Sequence, residues 1–173
     1  HVLPAPTHKR GLTQSELCAK LRAKFPKVTV HTHSDSPIEE VVAQIPADHP
    51  LEVIVDFEDY LPMVEFVKND PEFKMDFLID ETAIDYDDHF DLVTMLRSME
   101  IGHKLFLCVQ LKKDFAIAEE ARPTSLLASV PTISNLYPGA EVKEREIYDM
   151  FGINFEGHPD QRRIFLDKDF VGY

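Results

Sequence analysis

The residues of this sequence that are best suited to chemistry are crowded near its C-terminal end. Residues 144–152 read EREIYDMFG and residues 157–165 read GHPDQRRIF; together they hold four acidic residues, three arginines, three aromatics and one histidine. Carboxylates and histidine are the usual groups for acid–base catalysis, whereas arginines and aromatics are typical of the central residues of a protein–protein interface. Both interpretations have to be weighed against the structure that these residues can form.

Acid–base catalysis is the weaker interpretation, because a working pair of carboxylates needs two different environments within one pocket. Glu144, Glu146 and Asp149 would point in different directions from a single helix. The sequence also contains no nucleophile elbow, P-loop, glycine-rich dinucleotide motif or zinc-protease motif. We therefore predict no catalytic residue in this chain.

Glu144 does not fit the amphipathic pattern of its helix. Residues 140–151 predict a helix with a broad apolar face, and Glu144 falls inside that face. An unpaired carboxylate there costs several kcal/mol, so it must bind a cation, take up a proton or face a partner. Arg162 and Arg163 are the candidate cations, since a guanidinium binds a carboxylate through two hydrogen bonds. Three roles stay open: an internal or interfacial salt bridge, a contact made only with another protein, and acid–base catalysis.

The opposite face of this helix is predicted to be polar. It carries Arg145, Glu146 and Asp149. Arg145 has the four-residue spacing to pair with Glu141 and with Asp149, and such surface pairs are worth only a few tenths of a kcal/mol each. Gly152 follows the helix and is predicted to end it in the left-handed conformation, where glycine costs least.

Two groups of histidines are further candidates for chemistry. His31 and His33 share one face of a predicted strand, with Asp35 close behind, and such a group can hold a metal. A solvent-exposed polar face is the commoner outcome, so a stand-alone metal-dependent hydrolase is a distant alternative and we predict no metal site. His158 lies in GHPD (157–160), which predicts a turn with a structural histidine.

Composition excludes several functions. The chain has 173 residues, which suits one domain with extensions, and a net charge of −13, with eighteen acidic residues against two lysines in residues 35–91. So acidic a stretch argues against nucleic-acid binding.

No apolar run approaches the ~20 residues that a membrane span needs, which predicts no direct membrane insertion. Cys18 and Cys108 are too few and too far apart for an iron–sulfur cluster or a structural zinc.

The rest of the sequence predicts the elements that position these residues. Apolar spacing and β-branched runs predict helices over 13–25, 59–69 and 140–151, and strands over 27–33, 51–57, 74–86, 89–99 and 103–113. Residues 36–46 suit a short helix or a loop. Short polar turns at 86–89 and 100–103 join the last three strands into a central antiparallel meander. This order predicts an α+β fold of two layers, with a mixed β-sheet and helices packed on one face.

We divide the chain into three parts. Residues 1–12 are predicted to be a flexible N-terminal arm, residues 13–139 an α+β domain, and residues 140–173 a signature helix with a C-terminal docking extension. Residues 114–124 are predicted to be a loop, and no regular structure is predicted after Gly152. The sequence begins without methionine and stops at a Gly-Tyr pair, which indicates a processed or truncated chain.

The C-terminal motif closely resembles the signature of one family. Residues 144–164, EREIYDMFGINFEGHPDQRRI, are similar to the signature of the hydrophilic 30-kilodalton subunit of respiratory complex I, the proton-pumping NADH:quinone oxidoreductase. The stretches PEFKMDFLIDETAIDY (71–86) and VPTISNLYPGAEVKERE (130–146) also resemble that family. The resemblance covers roughly residues 50–172.

This resemblance implies a structural and assembly subunit of the peripheral arm, without independent activity. It would dock the quinone-site, 49-kilodalton-type subunit and support electron transfer coupled to proton translocation. No cofactor is expected in this chain; NADH, FMN, iron–sulfur clusters and quinone are expected in partner subunits. The expected location is peripheral, on the cytoplasmic face of a bacterial cell membrane or the matrix face of the mitochondrial inner membrane. The equivalent subunit of a membrane-bound hydrogenase or related ion-pumping oxidoreductase is the main alternative.

The family motif falls on a defined set of residues, which we predict to form an interface and structural motif. They are Glu144, Arg145, Glu146, Tyr148, Asp149, Phe151, Gly152, His158, Pro159, Asp160, Arg162 and Arg163. The sequence departs from the family pattern at Gln161, where an apolar residue is common, and at Val142, where an aromatic is usual. We expect each departure to weaken one packing contact at the interface.

Overall fold

The structure, a computed structural model, describes residues 11–32, 34–115 and 126–166. Residues 1–10 of the predicted N-terminal arm and residues 116–124 of the loop predicted over 114–124 lie outside these ranges. The elements in chain order are α1 (Gln14–Lys24), β1 (Thr29–Val30), α2 (Ile38–Ala43), β2 (Leu51–Val55), α3 (Phe57–Asn69), β3 (Phe77–Asp85), β4 (His89–Arg97), β5 (Lys104–Lys112), β6 (Ala128–Pro131), α4 (Ala140–Phe151) and β7 (Ile153–Glu156).

The larger sheet has five strands in the order β1-β2-β5-β4-β3. Strands β2 and β5 run parallel and the other neighbours run antiparallel, so the sheet is mixed, as predicted. Strands β3, β4 and β5 form the predicted meander. Both predicted turns are confirmed: the N–H of Tyr86 donates to the carbonyl of His89, and that of Ser98 to the carbonyl of His103, each at 3.0 Å.

One face of this sheet carries the core. Strands β2, β4 and β5 bury alternate residues, because successive side chains of a strand point to opposite faces. The helices cover that face with buried apolar side chains, among them Leu17, Leu21, Tyr60, Met63, Val64 and Val67. Each fully buried aliphatic or aromatic side chain contributes roughly 1.5–3 kcal/mol, so apolar burial stabilises this part of the chain.

Several boundaries differ from the predicted ones. Strand β1 has two residues instead of seven, and β3 begins at Phe77 instead of residue 74. The ambiguous stretch 36–46 contains a short helix, α2. Helix α3 begins at Phe57, two residues before its predicted start, because Asp56 already provides an extended N-cap. Pro62 therefore lies inside the helix and not in its first turn.

A second, smaller sheet pairs β6 with β7 in parallel, and α4 connects the two strands. Gly152 ends α4 at φ 70°, and its N–H donates to the carbonyl of Tyr148 at 3.0 Å, which confirms the predicted left-handed cap. The prediction of no regular structure after Gly152 is wrong: β7 follows at once and buries Ile153 and Phe155. The β6–β7 pair joins residues on both sides of the boundary that we placed between residues 139 and 140.

Candidate functional site: the last helix and the segments it binds

The candidate site is built on α4, which packs against β3 of the larger sheet and against β7 of the smaller one. Four of its residues are fully or almost fully buried: Ala140, Glu144, Ile147 and Asp149. Two of these four are acids, which is unusual because carboxylates are almost never fully buried without partners. Each of the two acids binds a different segment of the chain.

Glu144 binds the loop that follows β6. Its carboxylate accepts hydrogen bonds from the hydroxyl of Thr132 and from the backbone N–H of Ile133, the latter at 2.8 Å. The imidazole Nε2 of His158 lies 3.8 Å from the same carboxylate. Burial raises the pKa of Glu144, while the two hydrogen bonds and His158 oppose that rise. Glu144 is therefore an internal acceptor that fixes the path of this loop.

His158 joins the GHPD turn to the first turn of α4. Its Nδ1 accepts a hydrogen bond from the backbone N–H of Asp160 at 2.9 Å, so the ring proton of the neutral imidazole lies on Nε2. Nε2 donates to the carbonyl of Glu141 at 2.8 Å. The side chain is fully buried. These contacts give His158 the structural role in a turn that was predicted, with Pro159 exposed beside it.

Asp149 binds the C-terminal segment, which we define as residues 157–166. Its Oδ2 accepts three backbone N–H groups, from Ile164 at 3.0 Å, Phe165 at 2.6 Å and Leu166 at 3.1 Å. We predicted Asp149 on the polar face of the helix, and that prediction is wrong, because the C-terminal segment folds back over this face and buries the carboxylate. Hydrogen bonds to a charged acceptor are among the stronger ones in proteins.

The predicted pairing of Glu144 with Arg162 or Arg163 is also wrong. Arg163 lies against the other buried acid, with its Nε 3.8 Å from Oδ1 of Asp149. Arg162 is exposed, and its guanidinium donates two hydrogen bonds to the carboxylate of Asp160, with nitrogen–oxygen distances of 2.8 and 2.6 Å. The hydrogen bonds from Arg162 lower the pKa of Asp160 to about 2. Loop donors satisfy Glu144, so it needs no arginine.

Arg145 does not form the surface pairs predicted along the helix. Its Nε donates to the carbonyl of Arg162 at 3.2 Å, and its Nη1 lies 3.8 Å from Asp160. The predicted partners, Glu141 and Asp149, are replaced because the C-terminal segment returns over the helix and offers nearer acceptors. Arg145 thus contributes a further connection between α4 and that segment.

Gln161, which we expected to weaken an interface contact, ties the C-terminal segment to the smaller sheet. Its Oε1 accepts the backbone N–H of Phe155 at 2.9 Å, and its Nε2 donates to Oδ1 of Asn154 at 3.1 Å. The amide of Asn154 in turn donates to Oγ of Ser129 in β6 at 3.0 Å. A side-chain amide suits this place because it both donates and accepts. This network was not predicted from the sequence.

The aromatic residues of the motif divide between the core and the surface. Phe151 packs edge-on against Phe90 with 6.1 Å between ring centroids, and Tyr148 packs half-buried against the same core. Met150 is 50% exposed and Phe165 is 63% exposed. Together with the exposed Ile164, these two side chains form what we call the docking surface. Met150 and Phe165 line the same groove, and exposed apolar side chains that lie together are typical of interaction sites.

An open groove of about 480 Å³ lies beside the docking surface, between α4 and β3. Met150 and Phe165 line one part of it. Lys143 lines another part, where its Nζ is 3.2 Å from Asp80 and 3.7 Å from the half-exposed Glu146. The groove therefore offers apolar contacts next to charged groups of both signs.

Strand β3 contributes a third buried carboxyl, which was not predicted from the sequence. Glu81 is 3% exposed, and neither of its carboxyl oxygens has a hydrogen-bond partner among the residues that the structure describes. Burial and the charge of Glu144 raise the pKa of Glu81 well above its ordinary value. Strand alternation was the available signal, because it puts Glu81 on the same face as the buried Ala83.

No group of three or more histidine, cysteine or acidic side chains with the arrangement of a metal site is present in the described part of the chain. His31 lies 3.5 Å from Glu52, whereas His33 lies outside the described residues.

Cys18 and Cys108 are free thiols, and burial raises the pKa of Cys108 to about 12. Within the described ranges, none of the helices combines the length and the apolar character that crossing a membrane requires.

The fold and the site together define an α+β chain whose last helix binds a folded-back C-terminal segment through buried carboxylates. The sequence profile of a family described as the 30 Kd subunit of respiratory-chain NADH dehydrogenase matches residues 53–173. The chain belongs to this family, which confirms the resemblance seen in the C-terminal motif.

Relatives in this family are named as the C subunit of NADH-quinone oxidoreductase. The one from Dinoroseobacter shibae is 33% identical over 156 residues, covering 88% of this chain and 66% of the relative. The one from a Jannaschia species is 38% identical over 144 residues, covering 81% and 63%. The chain spans roughly half to two thirds of the length of the curated relatives that it matches.

A solved structure shares the fold. A chain in the structure of the membrane-bound sulfane sulfur reductase, an archaeal respiratory membrane complex, has a TM-score of 0.63 and 21% sequence identity to this chain. The match covers 89% of this chain and 76% of that one. The likeness at this level of identity concerns the fold.

Proposed function

We propose that this chain is a cofactor-free structural subunit of the peripheral arm of an NADH:quinone oxidoreductase. It docks the quinone-site, 49-kilodalton-type subunit through the docking surface, and so supports electron transfer coupled to proton translocation in the assembled complex. It sits peripherally, on the cytoplasmic face of a bacterial membrane or the matrix face of the mitochondrial inner membrane. NADH, FMN, iron–sulfur clusters and quinone belong to the partner subunits.

One observation carries this proposal: the bonds of Asp149 hold exposed apolar side chains in a fixed position. Its three backbone hydrogen bonds fix residues 164–166, and Phe165 is 63% exposed in the middle of that stretch. A preorganised apolar surface binds a partner more tightly than a mobile one, because less conformational entropy is lost on binding.

The internal contacts of the motif support a structural role over catalysis. Glu144, His158 and Asp149 each make hydrogen bonds to backbone groups of the same chain. A general acid or base has to reach a substrate within hydrogen-bond distance, and these three side chains are buried. Family membership and the naming of the relatives after NADH-quinone oxidoreductase support the assignment to the complex.

The test is affinity purification of the protein from source membranes, followed by mass spectrometry of the subunits that accompany it. The variants Met150→Asp and Phe165→Asp alter the docking surface. Met99→Asp is the matched control, because Met99 is 60% exposed in the turn between β4 and β5. We expect the unaltered protein and the control to retain a large quinone-site subunit with flavin and iron–sulfur subunits. Recovery should fall about tenfold or more for the other two variants, the range for loss of a central interface residue.

Equal recovery of the quinone-site subunit by all variants would overturn the assignment of the docking surface. A nickel-containing large subunit in place of a quinone-site subunit would identify the hydrogenase-type alternative. A protein that recovers no subunit and carries one metal per chain, lost when His31 and His33 are both replaced with Ala, would support the hydrolase alternative instead. Melting temperatures of the variants must match that of the unaltered protein for the comparison to report on docking.

A further inference from the structure

Glu81 occupies an unusual position for an acidic residue. It lies in the middle of β3 with a side chain that is almost entirely buried, and within the described residues both carboxyl oxygens lack a hydrogen-bond partner. Its neighbour across the strand pair, in register on β4, is the uncharged Thr94. A charged carboxylate without donors is among the most unfavourable groups that a protein interior can hold.

The groups that face Glu81 make its charged form less favourable still. The charge of Glu144 on α4 and that of Asp80 on its own strand both raise the pKa of Glu81. From α3 the hydroxyl of Tyr60 interacts with Glu81, but that hydroxyl also bonds Thr94 at 2.8 Å. The charge of Glu144 thus opposes ionisation of Glu81 more than the shared Tyr60 hydroxyl favours it, and Asp80 adds a smaller opposing effect.

The cations and donors in this region serve other acids. Lys143 lies 3.2 Å from Asp80. The hydroxyl of Thr132, the N–H of Ile133 and the imidazole of His158 all lie at Glu144. Among the described residues, Glu144 therefore has hydrogen-bond donors that stabilise a charged carboxylate, and Glu81 does not have them.

We infer that Glu81 is a neutral carboxylic acid in the folded chain, and that β3 packs against α4 in the native way only while this acid holds its proton. Loss of the proton places a negative charge at a position that is almost entirely buried and where the carboxyl oxygens lack a hydrogen-bond partner among the described residues, and this charge weakens the packing of β3 against α4. The inference concerns the contacts within this chain and does not depend on the proposed function.

The direction of the pH effect follows from the protonation states. Below the ordinary glutamate pKa of 4.5, Glu81 is protonated in both the folded and the unfolded chain. Above that value the unfolded chain releases the proton and the folded chain keeps it, because burial and Glu144 raise the pKa of Glu81. Stability is therefore lost as the pH rises, until the folded chain also loses the proton.

The test compares the 173-residue chain with two variants that cannot titrate, Glu81→Gln and Glu81→Met. Unfolding in urea is measured between about pH 5 and about pH 8. The unfolding constant of the unaltered chain, divided by that of either variant, should rise with pH, by about tenfold per pH unit wherever the folded chain keeps the proton and the unfolded chain has released it. Glu65→Gln is the matched control: Glu65 is exposed on α3, and this change should keep the pH dependence of the unaltered chain.

A second measurement needs no variant and decides the question if both variants fail to fold. The side-chain carboxyl carbon of Glu81, followed by NMR in labelled protein, should keep the chemical shift of a protonated acid at neutral pH. As the pH rises further, hydrogen exchange of the α4 amides should lose protection relative to those of α1. A carboxyl carbon that titrates at the ordinary value, or variants that keep the pH dependence of the unaltered chain, would overturn the inference.

Discussion

The five-stranded sheet and the β6–α4–β7 unit are stabilised by different chemistry. The sheet region buries aliphatic and aromatic side chains such as Leu107 and Tyr60, and the carboxyl oxygens of its buried acid, Glu81, lack a hydrogen-bond partner among the described residues. The smaller unit has its own apolar residues, including Ile153 and Phe155, but it also buries Glu144 and Asp149, which accept hydrogen bonds from loop and tail N–H groups. Apolar burial is non-directional, whereas a hydrogen bond to a carboxylate requires a defined distance and angle.

This difference shows how one short helix can serve two purposes. The apolar side chains of α4 add to the core, as Phe151 does against Phe90. The two buried acids of α4 define where the loop after β6 and the C-terminal segment lie. The smaller unit thus sets the position of the docking surface through its buried acids, in addition to burying apolar side chains.

The largest effect is expected from a cavity in the central strand of the sheet. Leu107→Ala should destabilise the chain by about 2–5 kcal/mol, the range for removing a buried leucine side chain. Urea unfolding followed by circular dichroism measures the loss. Hydrogen exchange should show that the amides of α4 lose protection to the same extent as those of the larger sheet. Full protection of α4 in this variant would mean that the smaller unit is stable alone.

Glu144→Ala should have the next largest effect, about 3 kcal/mol, because it leaves the buried donors of Thr132 and Ile133 without an acceptor. Glu144→Gln is the matched variant, since it keeps one acceptor oxygen and should lose less. Differential scanning calorimetry on both variants is the measurement. An unchanged melting temperature in Glu144→Ala would contradict the role of this residue as the acceptor that fixes the loop after β6.

Asp149→Asn should cost about 2 kcal/mol, because the amide has one acceptor oxygen of lower charge for three N–H donors. The loss should be confined to the smaller unit, so limited proteolysis should cut the C-terminal segment faster while the sheet stays intact. Glu146→Gln, a change at a half-exposed position of the same helix, should leave the cleavage rate unchanged. Equal cleavage rates in both variants would contradict the role of Asp149.

Gly152→Ala should have the smallest effect, about 1 kcal/mol, because a Cβ is unfavourable at φ 70°. Gly139 provides the comparison, since it has φ −62° at the other end of α4 and open space where a Cβ would lie. Gly139→Ala should be neutral or slightly stabilising. Thermal melts of the two variants measure the difference, and equal melting temperatures would show that the cap contributes nothing.

Local patterns in the sequence were sufficient where all the interacting groups are close along the chain. Thr13 and Glu16 have the three-residue spacing that is the sequence signature of a capping box, and both hydrogen bonds of the box are present at the start of α1. The cap at Gly152 and the two turns of the meander are confirmed for the same reason. Each of these features depends on a few adjacent residues whose conformational preferences are known.

The buried acids could not be placed in the same way. Asp149 binds backbone N–H groups fifteen to seventeen residues further on. Almost every residue type has a backbone N–H group, so the residue types do not indicate which of these groups a carboxylate will bind. The helical pattern therefore assigned Asp149 to the surface and indicated an arginine as the partner of Glu144. Strands β6 and β7 have four residues each, which is too short for an alternating pattern to be recognised.

The parallel pairing of β6 with β7 has a consequence for the order of folding. It joins Ala128 to Ile153, positions 25 residues apart, whereas the parallel pairing of β2 with β5 joins Leu51 to Leu105, positions 54 residues apart. Closing a longer loop loses more chain entropy, and contacts between distant residues form more slowly. We expect the β6–α4–β7 unit to reach its native pairing before β2 meets β5.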